Sequence, residues 1–313
     1  MSDAGGLQWF VDELSFFRGT LWIRGWAFHR ERQITQLGCI LPGKEYQPLS
    51  GYGQPSSDVE AAFGPAARDC RFFAELFCES GEIYESVQLV FTLDGHERVA
   101  VSRLVAETLE VCRPRQMERD FYGRLAEQGS GKILEIGSRN VTGDLNRNKI
   151  PRSWKYVGLD ILPDRYTDVV GDAHNLRKHF RRNSFDAVIS MAVFEHLIMP
   201  WKAVLEINRV LRQDGLVFVM SHQTFPLHGE PWDYFRFSAR AWRALFNRRT
   251  GFEILETGQG MPASIVAHQL MEHTTYLPDL PAYILTAVLA RKTGRTSLRW
   301  DVELDEIEDK PAL

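Results

Sequence analysis

The chain has 313 residues, of which 44% are hydrophobic and 25% charged, and this composition suits a soluble globular protein of about two domains. Its formal net charge is -4 and its basic residues form no long run, so we expect no nucleic-acid partner. The longest apolar run, residues 282–290, is far shorter than the roughly 20 residues that a transmembrane segment needs, and no apolar signal segment opens the chain.

The four cysteines show no pattern typical of a metal site or a redox motif. They form no CxxC pair and do not cluster with histidine; they are Cys39, Cys70, Cys78 and Cys112. A reducing cytosol is the simplest compartment, so we expect a cytoplasmic protein, either free or peripheral at the inner face of the membrane.

The first third of the chain is predicted to be all-β. From Leu7 to about Val105, apolar runs are broken by turn signals such as Asp94-Gly95, which VQLVFTL and HERVAV flank as in a hairpin. Along Leu21 to Phe28 both alternating faces carry large apolar side chains, so both should be covered. We expect a small sandwich-like domain over residues 1–106.

This N-terminal region resembles a β domain found in bacterial glycosyltransferases and other glycan-modifying enzymes. The resemblance lies mainly in Gly25-Trp26-Ala27, Asp58-Val59 and Ala61-Ala62-Phe63. Trp22 and Trp26 could stack on sugar rings, but large aromatic side chains more often pack in cores or domain interfaces, so we assign them no site.

A helix is predicted to link the two halves of the chain. After Pro114, the apolar residues Met117, Phe121 and Leu125 are spaced four apart, which favours a helix packed on a sheet. We place this linking helix at residues 107–131, a second domain at 132–292 and a C-terminal tail at 293–313, whose acidic segment should be solvated.

Two buried strands at the start of the second domain predict a nucleoside-binding edge. The first, in KILEIGSRN from Lys132, ends at Gly137, where the missing Cβ lets a bulky group approach the backbone. The second, KYVGLDI from Lys155, ends in Asp160, and an acid at this place in a parallel sheet can accept both ribose hydroxyls. The spacing also fits a dinucleotide fold, so these strands alone leave the cofactor open.

Three further segments complete the pattern: DVVGDAHNL from Asp168, FDAVISMAVFEHL from Phe185 and RVLRQDGLVFVMSH from Arg209. Together with the first two strands they resemble class I S-adenosylmethionine-dependent methyltransferases over roughly residues 132–292. The resemblance implies an α/β fold, a Rossmann-like and mostly parallel sheet with helices on both faces. It also implies a closing antiparallel pair of strands, at Phe252–Glu256 and Tyr283–Arg291.

The resemblance also implies S-adenosyl-L-methionine as the cofactor and assigns residues to it. The turn at Gly137 would hold the methionine part, Asp160 the ribose, and Asp172 would lie near the adenine. The full predicted cofactor-binding set is Glu135, Gly137, Ser138, Asp160, Ile161, Asp172, Ala173 and Met191.

Two features depart from the family pattern. Arg139 and Val141 stand where further glycines are usual. Residues 162–167 are too few for a parallel crossover, which normally takes about a dozen residues or more, so the helix between the second and third strands should be missing or reduced to a turn.

Two helices are predicted around the fifth strand. Residues 200–212 should form the first, with one apolar face, and Asp214-Gly215 should turn into the strand at residues 216–221. Ser238 can cap the second, which should run to about Asn247. The predicted buried side chains are Trp201, Val204, Leu205 and Leu211 in the first helix and Trp242, Leu245 and Phe246 in the second.

Histidines supply the candidate catalytic groups. An alcohol acceptor must lose its proton, and a nearby histidine is the natural base near neutral pH. Three lie on loops expected at the active edge: His196, His222 and His228. The pair Glu195-His196 resembles one common in the family, and Ala192 replaces an acid that helps hold a divalent ion in some members, so we predict no metal site.

The segment from His222 to Ser238 resembles, in its PWDY and RFS signature, the acceptor-covering segment of a methyltransferase branch often encoded with surface-polysaccharide enzymes. His228 is our first choice as base and His196 the second. Asp233 and Arg236 are interpreted as a structural ion pair, and Trp232 and Tyr234 as core residues.

The predicted function is therefore O-methylation of a sugar or glycan. The acceptors considered include lipid-linked sugars, and other glycan-assembly enzymes are the expected partners. A small hydroxylated metabolite or a lipid headgroup is the alternative acceptor. Two other classes stay open: a non-catalytic adaptor with a degenerate cofactor fold, and a nicotinamide dehydrogenase, which the absent GxGxxG opposes.

Overall fold

The computed structural model describes residues 2–4, 6–77, 86–102, 112–141, 143, 145–269, 271–277 and 280–307. The chain divides into two compact units, Met1–Glu110 and Val111–Leu313. Cys78, residues 107–111 of the predicted linking helix and the end of the acidic tail lie outside the described residues, and the four predicted domain limits stay predictions. No helix in the described ranges is long and apolar enough to cross a membrane.

The first unit is built from antiparallel strands in two sheets, with strand orders β1-β2-β3-β7-β6 and β5-β4-β8-β9. Its elements are β1 (Ser2–Ala4), β2 (Leu7–Phe17), β3 (Thr20–His29), β4 (Ile34–Ile40), β5 (Gln47–Leu49), β6 (Tyr52–Gln54), helix α1 (Ser57–Phe63), β7 (Arg71–Phe77), β8 (Gln88–Leu93) and β9 (Glu97–Val101). Apolar side chains of both sheets share one buried cluster, which includes Ile23, Leu37, Phe72 and Phe91. The predicted all-β architecture is confirmed, with α1 as an addition.

The residues that carry the N-terminal resemblance have structural roles in this unit. Trp26 is only 7% exposed and packs against the rings of Phe28 and Phe63, at centroid distances of 6.0 and 5.4 Å. Asp58 forms an ion pair with Arg71 at 2.5 Å. Trp26 is therefore a core residue, as the sequence favoured.

The second unit contains a seven-stranded sheet of order β12-β11-β10-β13-β14-β16-β15. Its elements are α2 (Arg113–Gln128), β10 (Gly131–Ile136), β11 (Trp154–Asp160), β12 (Val169–Val170), β13 (Phe185–Met191), α3 (Pro200–Val210), β14 (Leu211–His222), α4 (Ala241–Leu245), β15 (Phe252–Ala263) and β16 (Ala282–Lys292). The strands from β12 to β14 are parallel, and β16 is antiparallel to both β14 and β15. The predicted mostly parallel Rossmann-like sheet with a closing antiparallel pair is confirmed.

Helices cover both faces of this sheet. On one face Phe121 of α2 stacks on Phe218 of β14, at a centroid distance of 5.6 Å. On the other face the buried cluster contains Val204 and Ile207 of α3 and Trp242 of α4. The three apolar residues predicted to face the sheet from α2, Met117, Phe121 and Leu125, are fully buried.

The connection between β11 and β12 contains no helix, as the shortness of the segment predicted. Asp168 forms the hydrogen bonds to β11 at this point. Its backbone N–H donates to the Gly158 carbonyl at 2.9 Å, and its Oδ2 accepts from the Gly158 N–H at 2.8 Å. The turn therefore passes directly into the short strand β12.

Three details of the predicted helices are wrong. Trp201 is 36% exposed and packs edge-on against Trp300 at 5.5 Å, while Ala203, Val204 and Ile207 form the buried face of α3. Leu211 belongs to β14, which begins five residues earlier than predicted, and α4 is shorter than predicted at both ends.

Candidate active site

The parallel strands bring the predicted site residues to one edge of the sheet. In the register of the sheet, Ile136 of β10 lies beside Leu159 of β11 and Ser190 of β13, and Met191 of β13 lies beside Met220 of β14. Gly137, Asp160, the segment after Met191 and His222 therefore all follow the carboxyl ends of neighbouring strands. This is the edge at which open α/β sheets bind ligands.

Asp160 is held in place by the backbone at this edge. Its carboxylate is 8% exposed and accepts hydrogen bonds from the N–H groups of Arg139 and Leu162, both at 3.1 Å. A carboxylate offers about four acceptor positions, so it can still accept two ribose hydroxyls. The next residue, Ile161, is exposed, and its apolar side chain fits a nucleoside better than water.

The predicted turn after β10 is formed as expected, but its groups face the protein. Gly137 has φ +87°, and a Cβ there would overlap the side chain of Val193. The N–H groups of Gly137 and Ser138 both donate to the carbonyl of Leu159, at 2.8 and 3.2 Å. Ser138 is buried against Gly158, so a contact between its hydroxyl and the methionine part stays a prediction.

Glu135, the residue before the last of β10, stabilises this turn through hydrogen bonds to neighbouring residues. Its buried carboxylate accepts hydrogen bonds from the Asn146 amide at 2.7 Å and from the Tyr156 hydroxyl at 2.5 Å. Burial raises the pKa of Glu135, and these two hydrogen bonds oppose that rise. Both oxygens already have protein partners, so Glu135 positions the loop that follows β10.

Asp172 is joined to the turn after β13 through a histidine. Its Oδ1 accepts from the His174 N–H at 2.8 Å and lies 2.6 Å from Nδ1 of the ring, while Nε2 of that ring accepts from the Met199 N–H at 3.2 Å. The tautomer is thereby fixed with the proton on Nδ1. Burial raises the pKa of Asp172, but the hydrogen bonds and charge interaction with His174, together with the charge of Lys202, outweigh this effect and the pKa is lowered.

The predicted adenine side of the site is otherwise apolar. Ala173 is buried directly after Asp172, and Met191 is half-buried at the end of β13. The second carboxylate oxygen of Asp172 has no hydrogen bond within the described parts of the chain. Carboxylate acceptors at two strand ends therefore lie beside apolar side chains. This combination fits an adenosyl group.

Glu195 is the centre of a second group of residues at this edge. Its side chain is fully buried, and its Oε2 accepts from the Ser221 hydroxyl at 2.7 Å. Its Oε1 has no hydrogen-bond partner among the described residues, yet it lies 3.4 Å from Nε2 of His222 and 3.9 Å from Nε2 of His228. Sequence reasoning identified these residues separately and missed their shared position.

The three predicted histidines lie together around this carboxylate. Ring centroids are 4.8 Å apart for His196 and His228, and 5.4 Å apart for His222 and His228. The Trp232 carbonyl lies 2.6 Å from Nδ1 of His196, so this nitrogen must donate, and Nε2 carries the lone pair. Burial lowers the pKa of His222, although Glu195 opposes the shift.

The loop between β14 and α4 is fixed by an ion pair. Arg236 makes a bidentate contact with Asp233 at 2.6 and 2.7 Å and also donates to the carbonyls of Phe225 and Pro226, both at 2.9 Å. The Arg236 guanidinium holds the pKa of Asp233 well below its usual range. The structural ion pair is thus present, whereas Trp232, predicted as core, is 38% exposed.

A cavity of about 670 Å³ lies elsewhere, along α3 and the segment that follows β16. It contains none of the predicted site residues. Its lining is strongly basic, with Arg177, Arg182, Lys202, Arg209, Lys292, Arg295 and Arg299. The site is therefore assigned from the strand ends and their carboxylates.

The chain has similarities to known proteins. Residues 127–219 match the family model described as a methyltransferase domain, and no curated protein matches the chain. Among solved structures, the YcgJ protein of Bacillus subtilis is similar at 16% identity over 56% of this chain and 99% of its own, with a TM-score of 0.40. An S-adenosylmethionine-dependent methyltransferase from Mesorhizobium loti shows 16% identity over 59% and 100% of the two chains, with a TM-score of 0.41.

The family match runs from the end of α2 into β14 and contains the carboxyl ends of β10, β11, β12 and β13, while the end of β14 at His222 lies just beyond it. Carboxylates, an apolar edge and a left-handed glycine lie within it. The second unit therefore contains a methyltransferase domain of Rossmann-like fold, and S-adenosylmethionine is its implied cofactor.

Proposed function

We propose that the chain transfers a methyl group from S-adenosylmethionine to a hydroxyl oxygen of a sugar or glycan, with histidine assistance. The observation that carries this proposal is the cluster of His196, His222 and His228 around the buried Glu195. The cluster follows β13 and β14 at the same edge of the sheet as Asp160, so a proton acceptor and the proposed ribose-binding carboxylate share that edge.

Bound S-adenosylmethionine supplies a methyl group already activated on a sulfonium, so positioning matters more than acid strength. The chain holds the ribose with Asp160 and approaches the adenine with Asp172 and Ala173. The apolar side chains of Ile161 and Met191 exclude water. Gly137, Ser138 and Glu135 shape the turn beside the methionine part.

The remaining task of the protein is to accept the hydroxyl proton as the new oxygen–carbon bond forms. Asp233 Oδ2 and the Pro226 carbonyl each lie 3.2 Å from Nδ1 of His228, so this nitrogen donates and Nε2 is left as a base. A carboxylate behind an imidazole also stabilises the imidazolium that forms. His228 is therefore the preferred base, and His196 is the second.

The acceptor assignment is supported by the loop that covers the histidines. Phe225, Leu227 and Trp232 are exposed on this loop. The apolar faces of aromatic rings can pack against the C–H face of a sugar. The N-terminal resemblance to glycan-modifying enzymes points the same way and suggests glycan-assembly enzymes as partners. We place the enzyme in the cytoplasm, free or at the inner membrane face.

The test is incubation of the full chain with methyl-labelled S-adenosylmethionine and separate fractions of nucleotide-linked sugars, lipid-linked sugars and small polyols. Label in a sugar fraction is the expected result. Label in the polyols or in a lipid headgroup would replace the sugar with the alternative acceptor. Failure to bind S-adenosylmethionine in calorimetry would favour a non-catalytic adaptor.

The base is tested by His228→Ala, with the exposed His273→Ala as the matched control. Loss of a general base should lower turnover by about 10²–10⁴-fold, since proton transfer contributes that much in such reactions. Calorimetry should give an unchanged affinity for S-adenosylmethionine. Full turnover in His228→Ala would remove this residue from the mechanism.

A further inference from the structure

The spacing around Glu195 differs from that of an ordinary buried ion pair. A charge-assisted hydrogen bond between imidazole and carboxylate would bring the two atoms to about 2.7–2.9 Å. The observed separations from Oε1 are 3.4 Å to Nε2 of His222 and 3.9 Å to Nε2 of His228. Three candidate ligand atoms, one from each residue, lie within 4.8 Å of one another.

Such separations are close to those between the ligands of one metal ion. Tetrahedral zinc has bonds of about 2.0–2.1 Å to nitrogen and oxygen, which places neighbouring ligand atoms about 3.4 Å apart. The His222 contact already has this length. The His228 contact, at 3.9 Å, is longer than this separation.

The buried carboxylate supplies an independent reason for a cation at this position. An ionised carboxylate inside a protein is costly unless it is paired, and Oε1 of Glu195 has no hydrogen-bond partner in the described ranges. The side chain of Glu195 is fully buried, so bulk water does not reach this oxygen. A divalent ion between Glu195 and the two imidazoles would satisfy it.

The surrounding contacts orient all three groups as ligands. Ser221 donates to the other oxygen of Glu195 at 2.7 Å, which turns Oε1 toward the histidines. Asp233 lies behind Nδ1 of His228 and so leaves the lone pair on Nε2. The ring of His222 stacks on Phe225 at a centroid distance of 4.3 Å. The contacts of Glu195 and His228 are of the kind found behind metal ligands, whereas Nδ1 of His222 is buried without a hydrogen-bond partner among the described residues.

We propose that Glu195, His222 and His228 form a binding site for a divalent transition-metal ion, with Zn²⁺ as the preferred ion. Two imidazoles and one carboxylate suit zinc, whereas Mg²⁺ and Ca²⁺ prefer all-oxygen sites. Three protein ligands leave a coordination position for an oxygen of the acceptor.

The role of the ion in catalysis rests on the proposed function. Zinc lowers the pKa of an oxygen ligand, so it would activate the acceptor hydroxyl directly. The new oxygen–carbon bond forms as the sulfur–carbon bond breaks, and the electron pair of the broken bond stays on sulfur. With the ion bound, Nε2 of His228 would be a ligand and no longer the base, so the hydroxyl proton would pass to Nε2 of His196, the second candidate base, whose Nδ1 is occupied by the Trp232 carbonyl.

The binding test needs neither cofactor nor acceptor. The full chain is stripped with a chelator and titrated with ZnCl₂ in calorimetry, and Co²⁺ is added separately so that its visible absorption reports the ligand geometry. We expect one Zn²⁺ per chain, with affinity at least 100-fold weaker in His222→Ala and in the near-isosteric Glu195→Gln. His273→Ala should bind as the wild type does, and MgCl₂ should give no heat.

Equal Zn²⁺ affinity and an unchanged Co²⁺ spectrum in both variants would overturn the site, and circular dichroism of each variant shows that the fold is retained. In the turnover test, chelator-stripped enzyme should lose methylation and regain it with Zn²⁺. Full turnover without metal would overturn the catalytic role. Zn²⁺ binding without methylation of any sugar would instead reject the proposed acceptor, so the two failures are distinguishable.

Discussion

Asp160 has two sets of partners at the edge of the sheet. Its carboxylate fixes the loops on either side through the Arg139 and Leu162 amides, and its remaining acceptor positions are assigned to the ribose in the proposed function. A residue with both roles is best tested by a substitution that keeps its size.

Asp160→Asn should weaken the binding of S-adenosylmethionine by about 10–100-fold, because a hydrogen bond to a charged group contributes about 1.5–3 kcal/mol. Titration calorimetry measures this change. Asp164→Asn is the matched control, since Asp164 lies in the same connection and caps only the Tyr166 amide, at 2.9 Å. Equal affinities for the two variants would contradict the ribose assignment.

Asp172 makes stability depend on pH through its pair with His174. Its pKa in the folded protein lies below the ordinary value of 3.8, so the unfolded chain binds more protons as the solution becomes acidic. The stabilisation is fully present above pH 3.8 and is lost as pH falls through the lowered pKa.

Asp172→Asn should therefore cost about 1–2 kcal/mol of unfolding free energy near neutral pH and progressively less below about pH 4. Urea unfolding of the cofactor-free chain at several pH values gives this difference. A cost that is the same at neutral and acid pH would show that the charge of Asp172 does not contribute.

Single residues at strand ends were the most predictable part of the site. Asp160 and Asp172 could be located because the strands before them are short, apolar and bounded by turns. The shared position of Glu195, His222 and His228 could not, since it depends on β13 and β14 being neighbours and on a loop held by Arg236. No local pattern encodes those distances.

The boundaries of the helices depend on side-chain contacts that the apolar periodicity of the sequence does not reveal. Helix α4 was expected to reach Asn247 but ends at Leu245, where the Asn247 side chain donates to the carbonyls of Arg243 and Ala244, at 3.4 and 2.9 Å. Asn247 therefore caps the helix that it was expected to extend. Trp201 likewise fits the apolar period of α3 but packs on Trp300.

Lys292 joins three elements of the second unit. It lies at the end of β16, is 2% exposed, and its Nζ donates to the carbonyls of Asn208 and Leu211, both at 2.6 Å, and to Oδ1 of Asn183 at 3.1 Å. A lysine at the carboxyl end of a helix satisfies carbonyls that have no partner within the helix.

Lys292→Met should lower the free energy of unfolding by about 2–4 kcal/mol, because two buried carbonyls lose their donor. Denaturant unfolding measures the change. Arg291→Met is the control: Arg291 pairs with Glu253 in solvent, and an exposed pair contributes about 0–1 kcal/mol. Similar losses in both variants would show that the buried contacts of Lys292 add no stability.

Each of the two units has a hydrophobic core of its own. The cluster around Ile23, Leu37 and Phe91 belongs wholly to the first unit, and the two clusters on the faces of the seven-stranded sheet belong wholly to the second. The sequence changes from strands with alternating apolar residues to repeats of strand and helix. This change made the division predictable, because strands of the first kind bury their apolar face against another sheet and those of the second kind against helices.

Residues 111–313 expressed alone should therefore fold and bind S-adenosylmethionine as the full chain does. Every residue of the predicted cofactor-binding set, from Glu135 to Met191, lies in this unit, and α2, which covers one face of the sheet, begins after its first residues. Calorimetry on the fragment and on the full chain should give affinities that agree within a factor of about three, which corresponds to less than 1 kcal/mol. A fragment that unfolds cooperatively but binds tenfold more weakly would place part of the cofactor site in the first unit. Equal binding together with slower methylation of a glycan would instead assign the first unit to the acceptor, as its resemblance to glycan-modifying enzymes suggests.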